Sequence, residues 1–100
     1  METLLVQIRD FNQPAPEVWE AVVPKNTVPK KLIANNSGIM VFCETPSIKT
    51  DEQETLRFVT IGPGKTIPLH SDYFDVVDFT LDNGDGSFKH IVLPIYRLLQ

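Results

Sequence analysis

Hydrophobic and polar positions alternate with a period of two along much of the chain. Leu4, Val6 and Ile8 face one way and Thr3, Gln7 and Arg9 the other, with Leu5 out of phase, so Thr3–Arg9 reads as a half-buried strand. Glu17–Val23 puts Trp19, Ala21 and Val23 on one face and Val18 and Val22 on the other. The same stretch fits a turn and a half of helix, but its valines and the closing Pro24 favour a strand. A short strand at Leu32–Ala34 turns at Asn35-Asn36-Ser37-Gly38 and returns as a hairpin arm over Ile39–Glu44. Leu56–Ile61 is the next strand. In the segment after it, Val77, Phe79 and Leu81 oppose Asp78 and Thr80. Asp82–Ser87 holds Asn-Gly and Asp-Gly steps and reads as a hairpin loop, and Phe88–Leu99 closes as a long strand bent at Pro94. The connections are a turn at Asn12–Pro16, a loop at Pro24–Pro29, a polar surface loop at Thr45–Glu54, a tight turn at Gly62-Pro63-Gly64 and an extended corner at Thr66–Leu69.

Composition sharpens this picture. Valine, isoleucine and threonine supply 26 of the 100 residues, and their stiff side chains suit a pleated surface. Eight prolines and five glycines cut the chain into short pieces. One hundred residues build one core, which buries roughly two-thirds of the surface of the unfolded chain. The expectation is a single all-β domain over residues 1–100: a small antiparallel β-sandwich, jelly-roll-like, of seven or eight short strands. No apolar run reaches the length of a membrane span, and no basic, then apolar, leader opens the chain. Cys43 is the single cysteine and has no internal disulfide partner. A net charge of −4 weighs against binding nucleic acid through a basic face.

The candidate chemistry thins out on inspection. Gly64-Lys65-Thr66 ends like a phosphate loop, but Val59 stands where the first glycine belongs and Pro68 forbids the following helix. Aligned on Gly86, a calcium loop would need acids where Leu81 and Val92 stand. His70-Ser71-Asp72 is too local for a catalytic triad, because neighbours on an extended chain point to opposite faces. Gly64, His70, Asp72, Asp78 and Gly84 resemble the first motif of the cupins, which would imply a metal on His70, Asp72 and Asp78. Aspartate replaces that family's second histidine, however, and no second motif follows. Cys43 reads as a small core residue and Trp19 as core or as an interface anchor. No cofactor is expected, and the chain is expected not to be an enzyme.

Charge is unevenly placed. Lys25, Lys30 and Lys31 gather in one region, while Asp72, Asp75, Asp78, Asp82 and Asp85 form an acidic stretch. Two complementary patches of this kind favour contact between copies.

One pattern spans residues 20–96: Glu20-Ala-Val-Val-Pro-Lys-Asn-Thr27, then Pro29-Lys-Lys-Leu-Ile-Ala-Asn-Asn-Ser-Gly38, Arg57-Phe-Val-Thr-Ile-Gly-Pro-Gly-Lys-Thr-Ile-Pro-Leu69, and Ile91-Val-Leu-Pro-Ile-Tyr96. This order resembles the small accessory proteins, of head spike base type, in tailed phages and gene transfer agents. It departs from them at Val23, at Lys25-Asn26, in the longer Thr45–Glu54 loop and in the acidic segment Asp75–Asp85. The resemblance implies a non-enzymatic virion component, at a capsid vertex or as a decoration, that forms a homo-oligomer (trimer or pentamer) and docks to a capsid or fibre protein. The expected contacts are the basic loop with Lys25, Lys30 and Lys31, and the polar loop with Asp51 and Glu52. Thr3–Arg9 and Leu56–Ile61 are the edges expected to add to a neighbour's sheet. The alternatives are a small phage inhibitor working through the acidic stretch on a host protein, and the cupin-like metal protein.

Overall fold

The structure is a computed structural model and describes residues 1–47 and 51–99. The described residues form seven strands: β1 (Glu2–Asp10), β2 (Trp19–Pro24), β3 (Val28–Ala34), β4 (Gly38–Thr45), β5 (Gln53–Thr60), β6 (Ser71–Asp82) and β7 (Phe88–Leu98). They make two antiparallel sheets, ordered β1-β4-β3 and β2-β5-β7-β6. This is the β-sandwich that the alternation predicts.

The core lies where the inward faces meet. Val41, Ile39 and Cys43 come from β4, Ala21 and Val23 from β2, Leu56 and Phe58 from β5, and Ile95 from β7. Trp19 belongs to this core, as does Val77 of β6. The two sheets also meet along their sides, β3 beside β6 and β1 beside β2. At the first seam Asp75 Oδ2 accepts a hydrogen bond from the Leu32 amide at 2.8 Å. At one end a buried hydroxyl pair, Thr27 Oγ1 and Thr45 Oγ1 at 3.1 Å, ties the start of β3 to the end of β4, and Thr27 also donates to the Pro24 carbonyl.

Three registers slip, at Ile8, Lys30 and Phe74. Each slip falls on a strand with a free side: β1, β3 and β6. Bulges are common at edges, where they twist a strand away from foreign partners. The slip in β6 also turns Phe74 inward, its ring centroid 5.2 Å from that of Phe58.

Three expectations are corrected. The loop expected over Pro24–Pro29 is shorter, because β3 begins at Val28 rather than Leu32. Pro29 reads as a breaker, but β3 is an edge strand and tolerates it beside the bulge at Lys30. Leu56–Ile61 is no edge: β5 lies between β2 and β7. Thr3–Arg9 does lie on an edge strand, β1. Thr66–Leu69 forms no strand; the loop expected over Thr45–Glu54 is shorter at both ends, because β4 runs to Thr45 and β5 begins at Gln53, and its residues 48–50 lie outside the described residues.

β5 and β6 both run antiparallel to β7, so they are parallel to each other and residues 61–70 must cross over β7. Phe58, Ile95 and Val77 fill the inner face, so the crossing uses the outer one. This accounts for Val59, which points outward from β5 yet is buried. The Leu99 amide donates to the His70 carbonyl at 2.8 Å and pins the end of the crossing.

Candidate functional site

The two loops expected to make contacts are brought together. Antiparallel pairing of Pro24 with Gln53 sets Lys25 beside Glu52. The Lys25 amide donates to the Glu52 carbonyl at 3.0 Å, and Lys25 Nζ meets Glu52 Oε2 at 2.8 Å. Lys30 is 3.9 Å from Glu44 Oε2, and Lys31 Nζ stands 5.6 Å from the Phe42 ring centroid on the outer face of the smaller sheet. Asp51 is exposed at the foot of β5. Opposite charges thus neutralise much of the basic cluster within the chain.

The acidic stretch also divides. Asp75 is spent on the Leu32 amide. Asp78 Oδ1 meets His90 Nε2 at 2.8 Å. Asp82 and Asp85 shape the hairpin loop, accepting bonds from the amides of Gly84 and Ser87, while Gly84 and Gly86 take the positive φ that such a turn needs. Hydrogen bonds from the Ser87 hydroxyl and amide hold the Asp85 carboxyl below the usual carboxylate range. No three histidine, cysteine, aspartate or glutamate side chains gather as a metal site among the described residues. The cupin-like set is not assembled: Asp72 lies opposite Arg97 and Asp78 opposite Val92, well apart along β6, and His70 stands in the turn before it. Cys43 is buried in the core, and burial pushes its thiol up, with the Arg97 cation acting in the opposite sense.

Two hollows of about 240 Å³ open at opposite ends of the sandwich. One is walled by Arg57, Arg97 and Leu98, and the other by Phe11, Trp19, Phe79, Ile91 and Leu93. In the second, the rings of Phe11 and Phe79 stack at 5.0 Å.

The most open feature was not legible from local pattern. β5 pairs with β7 only from Arg57↔Leu98 to Thr60↔Ile95, whereas β6 pairs with β7 along its length, from Ser71↔Leu98 to Asp82↔Phe88. Beyond Pro94 the β6–β7 hairpin therefore continues as a two-stranded arm, in a molecule 49 Å long and 20 Å thick. The Ile61 amide donates to the Pro94 carbonyl at 3.1 Å, which puts the backbone groups of Pro94 on the β5 side. By alternation, those of Val92, His90 and Phe88 point the same way, past the end of β5. Phe88 and Val92 are also 68% and 54% exposed.

Comparison with known proteins adds no relative: no family model, no curated protein and no solved structure matches this chain.

Proposed function

We propose that the chain is a non-enzymatic structural component of a phage-like particle, which joins copies of itself and docks to a capsid or fibre protein through its strand edges. The observation that carries this reading is the β6–β7 arm, which runs past the end of β5 with the backbone groups of Phe88, His90 and Val92 directed to the side that β5 no longer covers. An open edge is a template for another strand. The contacts between Lys25 and Glu52 support it too, since they bring residues of the two expected contact loops side by side on the surface. The resemblance in residues 20–96 to head spike base proteins supplies the particle setting.

The test has two parts. Light scattering over a range of concentrations should show a discrete oligomer. Immobilised chain should retain a capsid or fibre protein from disrupted phage particles. A monomer at every concentration that retains neither protein overturns the reading.

A further inference from the structure

We infer that the hollow beside Phe11 and Trp19 is a binding site for a small molecule with an apolar, ring-sized body and a carboxylate, the carboxylate held by Arg9. The inference goes beyond the particle reading above and does not depend on self-association.

Strict alternation sends Arg9 outward with Gln7, and the fold reverses it. Gln7 lies opposite Met40 and Arg9 opposite Ile39, with Ile8 left over as a bulge. Residues directly opposed in a ladder share a face. Ile39 is wholly buried on the inner face, so the bulge turns Arg9 inward too, at the end of the smaller sheet. Bulges recur where a side chain has to be re-aimed.

Arg9 thereby lines a hollow of about 240 Å³. Trp19, Phe79, Ile91 and Leu93 give it apolar walls, Thr60 adds a hydroxyl, and no acid lines it among the described residues. The hollow has a structural cause. Phe79, Ile91 and Leu93 stand on the inner face of the β6–β7 arm, which runs past the end of β5. Only the segment after β1 reaches over that face, through Phe11 stacked on Phe79 and through Ala15 and Pro16. An apolar cavity of about 150 Å³ takes benzene. The present one has room for a ring with a short chain.

The charge selects the rest of the ligand. Arg9 Nη1 donates to the Asp10 and Gln13 carbonyls, the latter at 2.9 Å, and the guanidinium lies 5.4 Å from the Phe11 ring centroid. Among the described residues no carboxylate pairs with Arg9, and its Nε and Nη2 make no hydrogen bond. Those two nitrogens form the edge that takes a carboxylate side-on through two parallel bonds. Lys89, opposite Leu81 in the arm, adds a second cation on the same face. Apolar walls disfavour a bare inorganic anion, which would lose its water without replacement.

The sole tryptophan, Trp19, lines the hollow and reports its occupancy. Titration of the full chain with 3-phenylpropanoate should change Trp19 emission saturably, with a Kd of about 1 mM or below. The neutral counterpart 3-phenylpropan-1-ol, with the same body, should bind about tenfold more weakly or worse. Arg9→Gln should weaken the acid by a similar factor and leave the alcohol unchanged, a pattern that general loosening of the fold would not produce. Amide shifts on the native chain should move at Phe11, Trp19 and Leu93. Should Arg9→Gln unfold, the acid, the alcohol and the amide shifts on the native chain decide. No saturation by about 10 mM, or shifts gathered away from these residues, overturns the site. Equal binding of acid and alcohol to the native chain overturns the carboxylate and the role of Arg9.

Discussion

Asp75 of β6 and Leu32 of β3 hold the seam between the two sheets by a single side-chain-to-backbone hydrogen bond of 2.8 Å. The other carboxylate oxygen of Asp75 accepts from the Val76 amide. One carboxylate thus satisfies two amides, one in each sheet. Asp75→Ala leaves both to find water or go unpaired, at a cost of about 1–3 kcal/mol. Asp75→Asn keeps an oxygen for Leu32 and should cost less. Urea unfolding of the two variants reads the difference, and equal midpoints would remove the seam from the account.

Gly38 starts β4 where no side chain fits. A Cβ there would meet the Arg9 carbonyl oxygen at 2.0 Å and Gln7 Nε2 at 2.8 Å. Gln7 can swing away, but the Arg9 carbonyl is backbone in the paired strand. Gly38→Ala should destabilise by about 1–3 kcal/mol and loosen the pairing of Asp10 with Gly38. Thermal unfolding checks the first effect and amide exchange at the end of β1 the second.

The Cys43 thiol lies wholly inside the sandwich, and burial raises its pKa. The raised value means that the folded state keeps the proton longer than the unfolded state. Stability is therefore flat below the ordinary thiol pKa and falls as pH rises above it. Native protein at pH 8 should resist a thiol reagent and react only through opening. Fast labelling without denaturant would show that the core is not closed over β4.

Asp85 shifts the other way. Its folded-state pKa is lowered by the Ser87 hydroxyl and then by the Ser87 amide. The contribution is present above the ordinary carboxylate pKa and is lost as pH falls through the lowered value. The amide resonance of Ser87 should follow that titration, and Ser87→Ala should move it back toward the ordinary range. Because the loop is exposed, global stability should scarcely respond.

Charge reversal at Lys30 and Lys31 separates docking from folding. Both side chains are exposed, with Lys30 at a loose 3.9 Å from Glu44 and Lys31 over Phe42. Changing both to Glu should cost only about 1 kcal/mol of stability. If this face docks on an acidic partner, capture of capsid or fibre protein should drop sharply. Unchanged capture would move the docking surface elsewhere.

Alternation carried most of the strand assignments. Trp19, Ala21 and Val23 all face the core, and so do Val77 and the inward-packed Phe79. The hairpin at Asn35–Gly38 and the Asp82–Ser87 loop were legible because turn chemistry is local. Neighbour relations were not, because β1 pairs with β4 and β2 with β5 across more than twenty-five residues each. No local signal tells Leu56–Ile61 that strands will flank it on both sides. The meeting of Lys25 with Glu52 has the same origin. The open edge depends on where β5 stops relative to β7, which is a difference between two distant segments. Only Pro94 hinted at it, since a proline inside a central strand needs a side where no donor is wanted.

The place of β7 also orders the making of the fold. It is the last of the seven strands in the chain, yet it sits between β5 and β6. On a ribosome, β1, β3 and β4 can pair as soon as they emerge, and β2 can find β5. β6 then has no partner in its sheet until β7 follows it out, and the larger sheet closes only at that moment. The strand translated last is the one that joins the rest, so a nascent chain halted at the Asp82–Ser87 loop would hold a paired smaller sheet and an unclosed larger one.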